Sequence, residues 1–62
     1  MRNNIRQYRK AMRLTQKELC DILGWKLRRL QTYEQGSRMP SILDALELSE
    51  ALGVYVDNLF ER

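Results

Sequence analysis

The 62-residue chain is 44% hydrophobic and 31% charged, with three glycines and one proline, a composition that bounds it to one small globular domain over residues 1–62. One cysteine and no histidine leave no intramolecular disulfide and no structural zinc site; no apolar run nears the roughly 18 residues of a membrane span, and no nucleophile stands beside a base. The net charge of +3 hides a gradient, since residues 1–38 carry ten Lys/Arg against three Asp/Glu and residues 39–62 carry one against five, so the basic part suggests a polyanionic partner while the acidic part argues against a membrane-surface peptide.

The apolar periodicity is helical throughout, and Val54-Tyr55-Val56 is too short to build a sheet. Asn3 or Asn4 caps a first helix that carries Ile5, Tyr8 and Met12 on one face and ends near Arg13. The strongest local signal comes next. Thr15 as N-cap and Glu18 three residues on form a capping box, with Leu14 and Leu19 as its hydrophobic staple. The second helix therefore starts at Gln16, runs through Leu19, Cys20, Ile22 and Leu23, and stops at Gly24, the residue best suited to a left-handed C′ position. After two or three residues the third helix sets Leu30, Tyr33 and Glu34 on one face and Arg28, Gln31, Thr32 and Gln35 on the other, ending at Gly36. Residues 37–40 form a loop. Ser41 and Asp44 make a second capping box that opens a fourth helix, with Ile42, Ala45, Leu48, Ser49 and Leu52 inward and Gly53 at its end. Residues 56–60 form a short fifth helix that folds back on the core. The class is all-α, five short helices, with a helix-turn-helix over about 16–35.

The polar face of the third helix carries guanidinium and amide groups, the side chains that read guanine and adenine edges in a major groove, with Lys26 and Arg29 flanking it. The capped start of the second helix presents free backbone N–H groups and a positive dipole end beside Gln16 and Lys17, where a phosphate can sit. One helix end grips the backbone while the next helix lies in the groove.

Leu14-Thr15-Gln16, Glu18-Leu19, Gly24, Tyr33-Glu34-Gln35-Gly36, Pro40-Ser41 and Ala51-Leu52-Gly53-Val54 give a pattern that resembles the lambda-repressor-like, Xre/Cro type of helix-turn-helix DNA-binding domain, from about Ile5 to Phe60. The resemblance implies a small cytoplasmic transcriptional regulator, most simply a repressor of bacterial or phage origin, that binds a palindromic operator in double-stranded DNA as a homodimer. It implies base contacts from Leu27, Arg28 and Thr32, with Gln31 beside them. The implied phosphate contacts are Gln16, Lys26, Gln35 and Arg38, to which the charge pattern adds Lys17 and Arg29. It also implies an ion pair between Arg9 and Glu34, joining the first helix to the third. No enzyme activity, cofactor, metal, membrane or small-molecule ligand is expected, and 62 residues leave no separate effector domain.

Several positions depart from the pattern. Arg13 stands where the family often has glycine, so a positive φ there carries about 1 kcal/mol of strain. Lys26 replaces a Ser or Thr cap and leaves that cap weak. Trp25 is larger than the usual residue and packs over the turn, with base or phosphate contact as the alternative. Leu27 meets a thymine methyl or packs inward. Tyr55 replaces a capping Ser, and Cys20 is a small buried thiol. Leu43, Leu46, Tyr55 and Leu59 are the candidate dimer contacts. Two alternatives share the scaffold: an antitoxin-type regulator that also binds a toxin protein, and a protein–protein module without DNA.

Overall fold

The computed structural model describes residues 3–60; Arg2 of the basic segment and Glu61 and Arg62 of the acidic one lie outside the described residues. The described elements are five helices: α1 (Ile5–Ala11), α2 (Gln16–Leu23), α3 (Leu27–Glu34), α4 (Ile42–Leu52) and α5 (Val56–Leu59). Each contributes one fully buried aliphatic side chain to a common centre: Ile5, Leu19, Leu30, Leu48 and Leu59. Around them pack Cys20, Trp25, Tyr33 and Leu52, with Tyr8, Leu14 and Phe60 half-buried against the rim. No helix among the described residues is long and apolar enough to cross a membrane.

The local start and stop signals explain where the helices fall. Thr15 Oγ1 accepts from the Glu18 amide at 3.0 Å, and the Glu18 carboxylate accepts from the Thr15 amide at 2.9 Å, so the capping box is complete. The bonds from Thr15 hold the Glu18 carboxyl below its ordinary value. At α1 the helix cap is Asn4, but the capping bond comes from Asn3, whose Oδ1 accepts from the Ile5 amide at 3.1 Å. Asn3 and Phe60 form an isolated antiparallel bridge, and the Asn4 amide donates to Leu59 O at 2.7 Å. These bonds hold Asn3 and Asn4 against the end of α5.

The first four helices close in the same way. A 6→1 backbone bond runs from Leu14 to Arg9, from Trp25 to Cys20, from Ser37 to Thr32 and from Val54 to Ser49, at 3.0–3.2 Å. This closure puts the residue after the helix in the left-handed region. Glycine fills that place three times, at 24, 36 and 53; at α1 it is Arg13, with φ 59°.

Four expectations are corrected, and Ile22, to which no face was assigned, is placed. Met12 is 48% exposed because α1 ends before it. Ile22 is 59% exposed, since the inward stripe of α2 runs through Leu19, Cys20 and Leu23 and Ile22 lies about 100° off it. Ile42 is 82% exposed, because the buried stripe of α4 centres on Asp44, Ala45, Leu48 and Leu52 and leaves the first residue at its margin. The second capping box is only half made. Ser41 Oγ accepts from the Asp44 amide at 3.2 Å, but the Asp44 carboxylate turns inward to Tyr33 and Arg29. Leu59 is fully buried and is the residue that pins a four-residue α5 to the core, so it is unavailable as a dimer contact.

The left-handed Arg13 provides a stability test. Arg13→Gly should raise the unfolding free energy by about 1 kcal/mol, because a left-handed backbone costs a side-chain-bearing residue roughly that much. Urea unfolding checks this; an unchanged or lowered midpoint would show that the positive φ carries no cost.

Candidate nucleic-acid interface

The start of α3 follows α2 by way of Gly24, Trp25 and Lys26, with Gly24 at φ 73° turning the chain. Lys26 is the N-cap and makes no side-chain capping bond, as expected for Lys in that place. Leu30 and Tyr33 are buried, which sends the opposite side of the helix outward. Arg28 is exposed, and its side chain has no hydrogen-bond or ion-pair partner among the described residues. Leu27 is 44% exposed, so it faces outward rather than into the core. Thr32 is half-buried and its hydroxyl donates back to Arg28 O at 2.8 Å. That bond uses its proton and leaves a methyl group and an accepting oxygen.

Gln31 is not a free side chain. Its Nε2 donates to Gln16 Oε1 at 3.3 Å, and Gln16 Nε2 donates to Glu34 Oε1 at 3.2 Å. Glu34 receives Arg9 in a two-pronged pair, Nε to Oε2 at 2.8 Å and Nη2 to Oε1 at 3.2 Å. Arg9 Nη1 donates to Leu14 O at 2.8 Å. The implied ion pair is therefore present, with side chains only 9% and 4% exposed. One chain of bonds runs from the α1–α2 turn through α3 to two amides at the surface. The acid of α3 is spent inward, which leaves its outer face with no carboxylate.

The expected phosphate ligands divide. Lys17, Lys26 and Gln35 are exposed and have no side-chain partner among the described residues; Arg38, exposed as well, makes no hydrogen bond or ion pair among them, but its charge acts on Asp44. Gln16 is half-buried in the amide chain at the start of α2. Arg29 does not stand free: it pairs with Asp44, and its guanidinium carbon lies 4.5 Å from the centre of the Trp25 ring. Lys26, Arg28 and Arg38 line one open concavity beside α3; Arg6, Gln16, Gln31 and Gln35 line another. Arg6 was not among the expected contacts. Its signal was the basic charge of α1, which does not say which side of that helix meets the interface.

Trp25 is buried over the turn as expected, edge-on to Tyr33 with ring centres 5.6 Å apart, and its Nε1 donates to Glu47 Oε2 at 3.2 Å. Tyr33 Oη donates to Asp44 Oδ2 at 2.6 Å. The Arg29 guanidinium, followed by the Tyr33 hydroxyl, holds the Asp44 carboxyl below its ordinary 3.8. Donation to that carboxylate, and burial, push the Tyr33 hydroxyl up. Cys20 is buried and free, and burial with the nearby Asp21 and Glu34 charges raises its thiol, the inert state of a packing cysteine.

Of the dimer candidates, Leu43, Leu46 and Tyr55 are 69%, 53% and 81% exposed. Ile42, exposed as well, joins Leu43 and Leu46 within about 100° of helix arc.

A helix-turn-helix whose second helix turns one polar face outward, with an inward ion pair joining it to α1, defines a class, and comparison with known proteins agrees. A Helix-turn-helix family model matches residues 5–59, and the chain belongs to that family, the lambda-repressor-like, Xre type. It is similar to the cryptic phage CTXphi transcriptional repressor RstR of Vibrio cholerae, at 27% identity over all of this chain and 55% of that protein. It is also similar to an uncharacterized HTH-type transcriptional regulator of Methanothermobacter thermautotrophicus, at 34% identity over 97% of this chain and 88% of that protein. The chain thus spans about half the length of the Vibrio relative and most of the Methanothermobacter one.

Two predictions concern the buried charges. Arg9→Met should destabilise by about 3 kcal/mol or more, because it strands the Glu34 carboxylate away from water; adding Glu34→Leu should recover part of the loss. Thermal unfolding followed by circular dichroism checks both, and an Arg9→Met melt matching wild type would remove the pair from the account. Asp44 has a folded pKa below its unfolded value, so its stabilisation is full above pH 3.8 and is lost as pH falls through the lower folded value. Glu18 is shifted the same way, so the diagnostic is a difference: Asp44→Asn should flatten part of the acid limb of stability against pH. An acid limb identical in the two proteins would contradict it.

Proposed function

We propose that this chain is a DNA-binding transcriptional regulator that reads a specific duplex site with the outer face of α3 in the major groove. Family membership supports DNA binding. The observation that carries the finer reading is the outward, unpartnered Arg28 on a helix face stripped of its acid. Arg28 is proposed to donate to guanine O6 and N7. Gln31, steadied through Gln16, presents its remaining amide capacity to a base edge. Thr32 and Leu27 supply apolar contact to thymine methyls. Gln16, Lys17, Lys26, Gln35 and Arg38 hold phosphates on either side, the first two with the help of the α2 N-terminus.

The same reading extends to assembly. Two copies joined through Leu43, Leu46 and Tyr55, with Ile42 added, would place two α3 helices on half-sites about 34 Å apart, which favours a palindromic operator. Repression and a cytoplasmic location are proposed with it; the Vibrio relative is named as a repressor.

Selection of bound duplexes from a random pool tests the proposal. The expected product is one enriched motif with two-fold symmetry. Arg28→Ala should weaken binding to it by about 1–3 kcal/mol and relax the preference at one base of each half-site, whereas Lys17→Ala should weaken all sequences alike and lower the salt slope by about 0.9. Enrichment of no motif would refute sequence-specific reading.

A further inference from the structure

Four side chains form a closed ring between the turn, α3 and α4. Arg29 stacks on Trp25 and pairs with Asp44. Asp44 accepts from Tyr33, and Tyr33 meets the edge of Trp25. Trp25 adds a second tie to α4 through Glu47. The backbone of α3 packs on α2 and α1 but not closely on α4, so beside the shared apolar centre of Leu30 and Leu48 these side chains are the polar ties between the two helices. Asp44 is 5% exposed and Tyr33 7%. A carboxylate at that depth needs a cation close by, and lending Arg29 to a phosphate would leave it only the Tyr33 hydroxyl and the unbonded charge of Arg38.

We infer that Arg29 and Asp44 form a positioning clasp that sets the angle of α3 against α4, so that Arg29, a basic residue on the DNA-reading helix, serves specificity rather than phosphate binding. The guanidinium suits the task. One guanidinium can lie over the indole and still donate to the carboxylate, a combination that suits a planar cation better than an ammonium. Asp44 touches no DNA in this arrangement, yet the direction of Arg28 and Thr32 depends on it, one on each side of Arg29 along the same helix. The inference rests on the DNA-reading proposal and adds to it a second layer of residues behind the reading face.

The test compares wild type, Arg29→Gln and Asp44→Asn on two probes: the duplex that wild type enriches from a random pool, and a scrambled duplex of the same length. Both affinities are measured over a salt series, with circular dichroism at the assay temperature. A clasp predicts that Arg29→Gln keeps the wild-type salt slope on the scrambled duplex and loses about tenfold in the ratio of specific to scrambled affinity; Asp44→Asn loses in the same direction. A phosphate ligand predicts the reverse: Arg29→Gln lowers the slope by about 0.9 with the ratio kept, and Asp44→Asn tightens scrambled binding by freeing the cation. A slope lowered by that amount, or wild-type ratios in both variants, overturns the clasp. If Asp44→Asn does not fold, Arg29→Gln decides alone, because slope and ratio separate the two roles within that variant. Failure of wild type to enrich any duplex overturns the DNA reading and the clasp with it. An enriched duplex with an Arg29→Gln slope loss overturns the clasp only.

Discussion

The reading surface depends on the buried pair of Arg9 with Glu34. It does three things at once. It takes the acid of α3 out of the outer face, joins α1 to the end of α3, and anchors the amide chain that runs through Gln16 to Gln31. Arg9 Nη1 also holds the carbonyl of Leu14, so the turn before α2 is tied to the same point. A buried pair of this kind adds little net stability over an apolar pair of the same shape. Its value here is geometric, because the side chains that would face a duplex inherit their positions from it. Every buried side-chain nitrogen and oxygen among the described residues has a partner, and without Arg9 that would no longer hold for Glu34.

The charge gradient acquires a structural meaning on this basis. Lys17, Lys26 and Arg28, which have no side-chain partner among the described residues, lie at the start of α2, at the cap of α3 and on α3 itself, and Arg38 follows α3. Acids of the second half are partly spent as internal ligands: Asp44 on Arg29 and Tyr33, Glu47 on the Trp25 indole. The acidic part of the chain thus braces the basic part from behind, and attraction to a polyanion is left to the front. On the proposed reading, long-range steering and phosphate binding would follow from charge, and the choice of sequence from how α3 is held.

Local features of the chain were legible in the sequence because their physics is local. Thr15 with Glu18, and Gly24, Gly36 and Gly53, act within a few residues of themselves, and the helices begin and end where these residues place them. The polar face of α3 was legible too, since at 3.6 residues per turn Arg28, Gln31 and Thr32 stand about half a turn away from Leu30 and Tyr33. What escaped needed knowledge of a distant neighbour. Asp44 sits three residues after a serine and reads as a capping acid; its partners lie 11 and 15 residues away in another helix. Arg29 reads as one more cation beside the groove until Trp25 and Asp44 are placed around it. Ile22 and Ile42 fit a helical period but fall off the stripe that the packing selects. Leu59 looks like a surface leucine only while α5 is undocked.

The central claim is that α3 enters the major groove and that Arg28 reads guanine there. Dimethyl sulfate methylates guanine N7, the atom on which that contact turns. Interference mapping on the selected duplex is therefore the most direct measurement. The account predicts that N7 methylation at one guanine in each half-site blocks wild-type binding, and that Arg28→Ala becomes indifferent to the same modification. Wild-type binding that tolerates methylation at every guanine of the site would contradict it.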